Sequence, residues 1–273
     1  MILKKRIFSN VPFTIFVVVL YLAMIASPLS VRLSEIATPG FFSSIGQHPT
    51  FFWLPMDSVA WGNRIFTTGA AILPVFFSGM IFYQDVNSSL LSNQRIRLGR
   101  QRYFASVYSQ LFVLSFGIVF TALLVNMLAV HLLFTDWRIT DAVAQILPKQ
   151  GTFGYPLFEI SPYLFEVFYC AFIALFLALL TNFTASLQLI LAKFHRYVAW
   201  IAPILLLFFI SYPFELIVPL SPYNVFLIKQ PIALALTEPA ITWKHLVVGL
   251  GFWVVLDGIL MAIGYKMQRE VLE

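Results

Sequence analysis

The chain contains few charged residues and a single cysteine. Only 11% of its 273 residues are Asp, Glu, Lys or Arg, whereas about 25% is usual for a soluble domain whose surface must be hydrated. Cys170 has no second cysteine with which to form an internal disulfide. Because 60% of the residues are hydrophobic and the mean hydropathy is +0.87, the composition excludes a soluble, disordered or disulfide-rich secreted protein. It indicates a polytopic membrane protein.

Several catalytic and metal-binding motifs are also missing. The sequence has no G-x-x-x-x-G-K-[ST] loop for ATP phosphates, no H-E-x-x-H or paired-cysteine zinc site and no G-x-S-x-G nucleophile elbow. The four histidines (His48, His131, His195 and His245) are dispersed, and we expect them at different membrane depths. Cys170 is expected to be a small core hydrophobe. We therefore expect no enzymatic activity, no metal site and no cofactor in this chain.

Six stretches of the chain are apolar and nearly free of charge. About 20 helical residues cross a bilayer core about 30 Å thick, so each stretch is a candidate span. The predicted spans are residues 10–29, 65–84, 103–134, 163–192, 197–213 and 245–265. Continuous apolar runs exclude the alternating pattern of a membrane barrel. The predicted fold is all-α, one transmembrane domain over residues 1–273, although the basic front of the first stretch also fits a signal peptide.

Lysine and arginine are distributed unevenly between the two sides of these spans. With the amino terminus inside, eleven of the 17 lie on the cytoplasmic side: Lys4, Lys5, Arg6, Arg95, Arg97, Arg100, Arg102, Lys193, Arg196, Lys266 and Arg269. Six lie outside: Arg32, Arg64, Arg138, Lys149, Lys229 and Lys244. By the positive-inside rule both termini are cytoplasmic. The net charge of +5 is then a consequence of topology and requires no nucleic-acid partner.

Two outer segments are apolar without being long enough or regular enough to form spans. Residues 32–64 are rich in aromatic side chains, and we expect this loop to lie partly in the membrane interface. Its rings include Phe41, Phe42, Phe51, Phe52, Trp53 and Trp61. Residues 212–243 contain five prolines, at 213, 219, 222, 231 and 239. This pattern predicts short re-entrant or interfacial helices between the fifth and sixth spans; an apolar loop resting on the headgroups is the alternative.

The substantial cytoplasmic loop, residues 84–102, combines an acidic start with a basic end. Asp85 can cap a helix and Gly99 can end it. A loose apolar stripe lies between them, which predicts a short amphipathic helix under the membrane. Its far end carries Arg95, Arg97, Arg100 and Arg102. These arginines fit a contact with a partner protein, and they fit simple retention on the cytoplasmic side equally well.

Two carboxyl groups fall within or close to the spans. Glu166 follows Pro162 closely, so we interpret it as a helix-start acid that reaches the headgroups. Asp257 is about 12 Å deep at about 1.5 Å rise per residue, where an unpaired charge is costly. We hypothesise that it hydrogen-bonds to the polar group around Asn182, or to the same helix of a second protomer. A protonated carboxyl satisfied by its own backbone is the alternative.

This layout resembles the six-helix permease subunit of type-2 ABC transporters, especially small bacterial members that export peptides, antibiotics or bacteriocins. The local match is Asp85 followed by the basic run 94–102 and Tyr103, where the family has a coupling helix and the start of its third span. The proline-broken segment 213–239 matches the family's re-entrant region. In many members a longer amphipathic helix precedes the first span than the short segment found here.

The resemblance implies a membrane subunit that works as a homo- or heterodimer in the bacterial cytoplasmic membrane. A separate ATPase subunit, which holds ATP and Mg²⁺, would dock on the coupling helix around Asp85 and the four arginines. The outer aromatic residues would suit an amphipathic or lipid-like substrate, although interface anchoring explains them as well. Two other classes stay open: a non-transporting membrane protein that serves in immunity, sensing or assembly, and an ion-coupled carrier that uses Asp257.

Overall fold

The computed structural model describes residues 11–38, 40, 48–55, 61–69, 72–78, 99–141, 144, 147, 148, 150, 151, 154–211 and 243–270. These residues form helices and their connections, with no strand among them. In chain order the helices are α1 (Val11–Ala37), α2 (Pro49–Phe52), α3 (Trp61–Gly69), α4 (Leu73–Ser78), α5 (Arg100–Leu133), α6 (Tyr155–Ile160), α7 (Pro162–Ile190), α8 (Arg196–Ser211) and α9 (Trp243–Glu270), with a 3₁₀ turn over Leu191–Lys193. The predicted all-α class is confirmed.

Four of these helices, α1, α5, α7 and α9, are long and apolar enough to cross a membrane. They correspond to the first, third, fourth and sixth predicted spans. The helix α1 continues to Ala37, well beyond the predicted end at residue 29, because no helix-breaking residue follows Pro28 until Pro39. The helix α5 has 34 residues, about 50 Å at about 1.5 Å rise per residue, so it is longer than the bilayer core requires.

The second predicted span, residues 65–84, is not one continuous helix in its described part. The chain forms α3, turns, and resumes as α4, with the Ile72 amide bonded to the Gly69 carbonyl at 2.8 Å. Pro74 lies at the second position of α4. Its ring clashes with the carbonyl four residues earlier and it has no amide hydrogen to donate, so a helix running through it is interrupted. The last predicted residues of this span, 79–84, lie outside the described residues.

The fifth predicted span corresponds to α8. Its apolar part, Tyr197–Phe209, is shorter than the helices that qualify as candidate spans. The re-entrant region predicted over 212–243 lies outside the described residues except for Trp243. The predicted coupling loop 84–102 is described only from Gly99 onward.

The bundle is organised around α7, which packs against α4, α5, α6, α8 and α9. In its most apolar window 67% of the residues are buried, against 22% in both α1 and α9. The α9 contact is built on Trp253, which is fully buried and lies edge-on to Phe176 and Phe183 at 6.1 and 5.3 Å between ring centroids. Outside this core, α1 packs against α3 and α5 and exposes a long apolar face, as a lipid-facing helix does.

Candidate functional site

Residues 48–55, which we call the inserted segment, enter the bundle between α5 and α7. Every residue of this segment is buried. The Phe52 ring stacks on Phe134 of the chain following α5 at 4.3 Å, and Trp53 lies edge-on to Phe165 and Tyr169 of α7. These eight residues are therefore covered by the protein itself, and their aromatic rings fill the bundle, where they are removed from water. That the outer loop lies partly in the membrane interface stays a prediction.

Asn126 of α5 anchors the end of the inserted segment. Its side-chain oxygen accepts the Leu54 amide at 3.0 Å, and its side-chain nitrogen donates to the Met24 carbonyl of α1 at 2.8 Å. Met24 lies four residues before Pro28, which has no amide hydrogen, so this carbonyl lacks its helical partner. The fully buried Asn126 side chain thus bonds two main-chain groups, and it ties α1, α5 and the inserted segment together.

Glu166 forms the second anchor. Its side chain is completely buried. The Thr50 hydroxyl donates to Oε1 at 2.7 Å, and His131 Nε2 lies 2.6 Å from Oε2. A buried carboxylate is tolerated only where it is paired and hydrogen-bonded, and this site supplies both. Glu166 is the fifth residue of α7 and points inward, so the interpretation of it as a helix-start acid reaching the headgroups is wrong.

Aromatic rings enclose the two histidines beside this carboxylate. Trp137 stacks on His131 at 5.4 Å and meets the edge of His48 at 5.2 Å, and Tyr163 lies 4.8 Å from His131. The Nδ1 atoms of both histidines are buried and have no hydrogen-bond partner within the described part of the chain. Contrary to the expectation of dispersed histidines at different depths, the fold brings His48 and His131 to the same tryptophan.

The charges around His48 have defined partners. Burial lowers the pKa of His48, and the nearby His131 acts in the same direction, while Glu166 and Asp136 oppose them. Arg138 binds Asp136 with its Nη2 atom 2.8 Å from Oδ2. Hydrogen bonds from Arg138 lower the pKa of Asp136 to about 2. Burial therefore favours the neutral imidazole of His48, and the acids near it are already paired.

A second polar cluster lies toward the other end of α7. Asp257 of α9 is 4% exposed, and its carboxyl interacts with the Ser186 hydroxyl. The Ser186 oxygen also lies 3.0 Å from the Tyr108 hydroxyl of α5 and 3.0 Å from the Asn182 carbonyl. Ser186, the residue that Asp257 contacts, lies one turn further along α7 than Asn182. Bonding of Asp257 to the polar group around Asn182, or to the same helix of a second protomer, stays a prediction. Oδ1 of Asp257 has no hydrogen-bond partner among the described residues.

The predicted site residues therefore fall into separate places. Glu166 and Asn182 lie at two levels of α7, about 24 Å apart at about 1.5 Å rise per residue, so they do not share a site. Asp85, Arg95 and Arg97 lie outside the described residues. Of the other two arginines, Arg100 begins α5 and the Arg102 side chain is exposed.

The described residues contain no group of three or more His, Cys, Asp or Glu side chains arranged to hold a metal ion. Cys170, the single cysteine, is fully buried in α7, as expected for a small core hydrophobe.

Sequence reasoning missed His48, Thr50, Asn126 and His131. For His131 a signal was available: it lies near the end of the third predicted span and Glu166 near the start of the fourth. Successive spans run in opposite directions, so the two residues reach the same membrane face. No comparable signal existed for His48 and Thr50, because a loop with this composition also fits the membrane interface.

Comparison of the chain with known protein families, curated proteins and solved structures finds no match. The class of the protein therefore rests on its own features. Four long apolar helices, of which α5 and α9 pack directly on α7, together with polar groups inside the bundle, are the features of an all-helical, multi-pass membrane protein.

Proposed function

We propose that the chain is the membrane-spanning permease subunit of an ATP-driven ABC exporter. ATP and Mg²⁺ are held by a separate ATPase subunit, and the permease works as a homo- or heterodimer in the bacterial cytoplasmic membrane. In this proposal α3 with α4 and the following residues forms the second of six spans, and α8 contributes the fifth. Both termini are cytoplasmic, and the segment before Trp243 is re-entrant.

The observation that carries this proposal is the shape of the bundle at the basic start of α5. The helix α5 begins at Arg100, one turn before the buried Tyr103 and Phe104, and Phe104 packs against Tyr265 of α9. Gly99 has a φ of 75°, a left-handed conformation that turns the chain sharply just before α5. A basic helix start at the end of the bundle, preceded by a sharp turn, is suited to contact a partner protein.

The substrate class is an amphipathic peptide-, antibiotic- or lipid-like molecule. Support comes from an almost entirely apolar cavity of about 190 Å³ between α1, α3 and α4, which is smaller than a typical small-molecule site of about 300–1,000 Å³ and has room for part of a ligand. Such a cavity suits the hydrophobic part of an amphipathic molecule. The aromatic loop residues give less support than the sequence indicated, because Phe51, Phe52 and Trp53 are buried by the protein itself.

The proposal is tested by purifying the tagged protein in mild detergent together with its ATPase partner. The double substitution Arg97→Glu and Arg100→Glu reverses two positive charges around the start of α5 and should abolish co-purification of the ATPase. The matched control, Arg64→Glu with Lys244→Glu, reverses two charges on the opposite side and should leave it intact. Unchanged co-purification with the first variant would remove the docking role.

A second candidate, an ion-coupled carrier, is favoured by one observation. The Asp257 carboxyl lies inside the bundle with one oxygen unpaired among the described residues, as expected for a group that takes up and releases a proton. Transport that continues after ATP depletion, requires a proton gradient and is lost in Asp257→Asn would favour the carrier. Transport that stops on ATP depletion favours the ABC exporter.

A further inference from the structure

The inserted segment is held in the bundle at its two ends by different chemistry. At the end nearer α3, the Leu54 amide is bonded to Asn126, a pair that does not titrate. At the other end, His48 precedes Pro49, the first residue of α2, and is only 2% exposed. Between them Thr50 donates to Glu166. The segment is therefore fixed by a permanent anchor at one end and by an ionisable residue at the other.

Among the residues that the structure describes, a proton added to His48 would meet no free acceptor. Glu166 of α7 already accepts from Thr50 and contacts His131 of α5. Asp136, which follows α5, is bonded to Arg138 through both carboxylate oxygens. The remaining neighbours are aromatic: Trp137 lies against the His48 ring, and Tyr163 of α7 packs on Trp137. An imidazolium here would be a buried charge without its own partner, which is strongly unfavourable.

The His131–Glu166 contact joins the two long helices α5 and α7, and the His131 ring packs against Trp137 and Tyr163. This contact does not include the inserted segment, to which His48 belongs.

We propose that the inserted segment is a proton-operated switch, in which protonation of His48 releases residues 48–53 from their place between α5 and α7, while Leu54 stays bonded to Asn126. The Thr50–Glu166 hydrogen bond breaks as the segment leaves, and the Asn126 anchor keeps its far end attached. The inference does not depend on the ATPase partner and holds for a carrier as well.

The direction of the pH dependence follows from linkage. Once released, His48 has the ordinary histidine pKa of about 6.5, whereas burial lowers its pKa in the inserted state. The released state therefore binds more protons below about pH 6.5. Insertion is stable above that pH and weakens as the pH falls. For this single group, the released-to-inserted ratio rises by up to about 30-fold between pH 7.5 and pH 5.0.

The test is hydrogen–deuterium exchange of the full-length protein in nanodiscs of phosphatidylcholine, followed on peptides that cover residues 48–53. Labelling times are scaled to the intrinsic exchange rate at each pH. In the wild-type protein, exchange of these peptides should accelerate by ten- to 30-fold between pH 7.5 and pH 5.0 after this correction. In His48→Gln the acceleration should disappear. His195→Gln, which alters an exposed histidine just after α7, should respond like the wild type.

Two results would overturn the proposal: wild-type exchange that does not depend on pH, or a full pH response that persists in His48→Gln. His131→Gln separates the two histidines, because it should raise exchange at both pH values by the same factor and keep the pH response. Folding of each variant is checked by the protection of the buried Cys170 thiol from maleimide. If His48→Gln fails this check, His48→Phe retains a ring in the aromatic pocket and takes its place.

Discussion

Replacing Asn126 by alanine tests the anchor between α1, α5 and the inserted segment. The substitution removes the side-chain hydrogen bonds to two buried main-chain groups: the Leu54 amide and the Met24 carbonyl. Loss of a hydrogen bond by a buried group costs about 1–3 kcal/mol, and hydrogen bonds between membrane helices reach about 1–2 kcal/mol. We therefore expect Asn126→Ala to lower the free energy of unfolding by about 2–4 kcal/mol.

A second substitution, Pro28→Ala, tests the part of this cost that comes from the Met24 carbonyl. In Pro28→Ala the new amide at position 28 can donate to the Met24 carbonyl within α1. The Asn126 side chain is then needed for one group instead of two. The cost of Asn126→Ala should fall by about 1–2 kcal/mol in the Pro28→Ala background.

Cys170 provides the assay, because it is the only cysteine and is fully buried. Unfolding by sodium dodecyl sulfate in mixed micelles exposes the thiol, and maleimide labelling then reports the unfolded fraction. Ser115→Ala is the matched control: Ser115 is also buried in α5, but it bonds the Leu111 carbonyl of its own helix at 2.8 Å. A cost for Asn126→Ala no larger than that of the control, or equal costs with and without Pro28, would refute the reasoning.

Three further predictions can be measured with the same assay. Gly62→Ala should cost about 1–3 kcal/mol, because its Cβ would lie 1.9 Å from Oγ of Ser27, whereas Gly117→Ala, with nothing within 4 Å, should be neutral or slightly stabilising. Glu166→Ala should destabilise by about 2–4 kcal/mol and Glu166→Gln by less, since the amide oxygen can still accept one hydrogen bond; equal losses would contradict the assigned bonding. Trp253→Ala should cost about 3–5 kcal/mol through the cavity left against α7, and a loss below about 1 kcal/mol would argue against the packing of α9.

Long apolar runs could be read from the sequence with little ambiguity. The four longest helices occur where length and composition predict them, because a helix is the only open structure that satisfies every backbone group within lipid. The second predicted span was less accurate for a local reason. Its composition is apolar throughout, but Pro74 interrupts the helix. A hydropathy scale does not show this, because it does not record that proline lacks a backbone N–H donor.

The candidate site was harder to predict, since its parts are far apart in the chain. Asp257 attracted attention because a carboxyl group within an apolar run is unusual, and in the structure it contacts Ser186 of α7. Glu166 was assigned to the headgroups because its rotational position on α7 was unknown. Its partners Thr50 and His131 are 116 and 35 residues away in the chain, and no local pattern relates them.

By itself, the sequence determined that this chain is a helical membrane protein, since so few charges cannot hydrate a soluble surface and long apolar runs must pair their own backbone groups. It also determined the positions of the four longest helices and marked Asp257 as an unusual residue. Only the tertiary structure decided that residues 48–55 are buried inside the bundle. An aromatic loop is also stable at the membrane interface, and the burial of this one depends on Asn126 and Glu166, whose side chains supply hydrogen-bond partners only where α1, α5 and α7 come together.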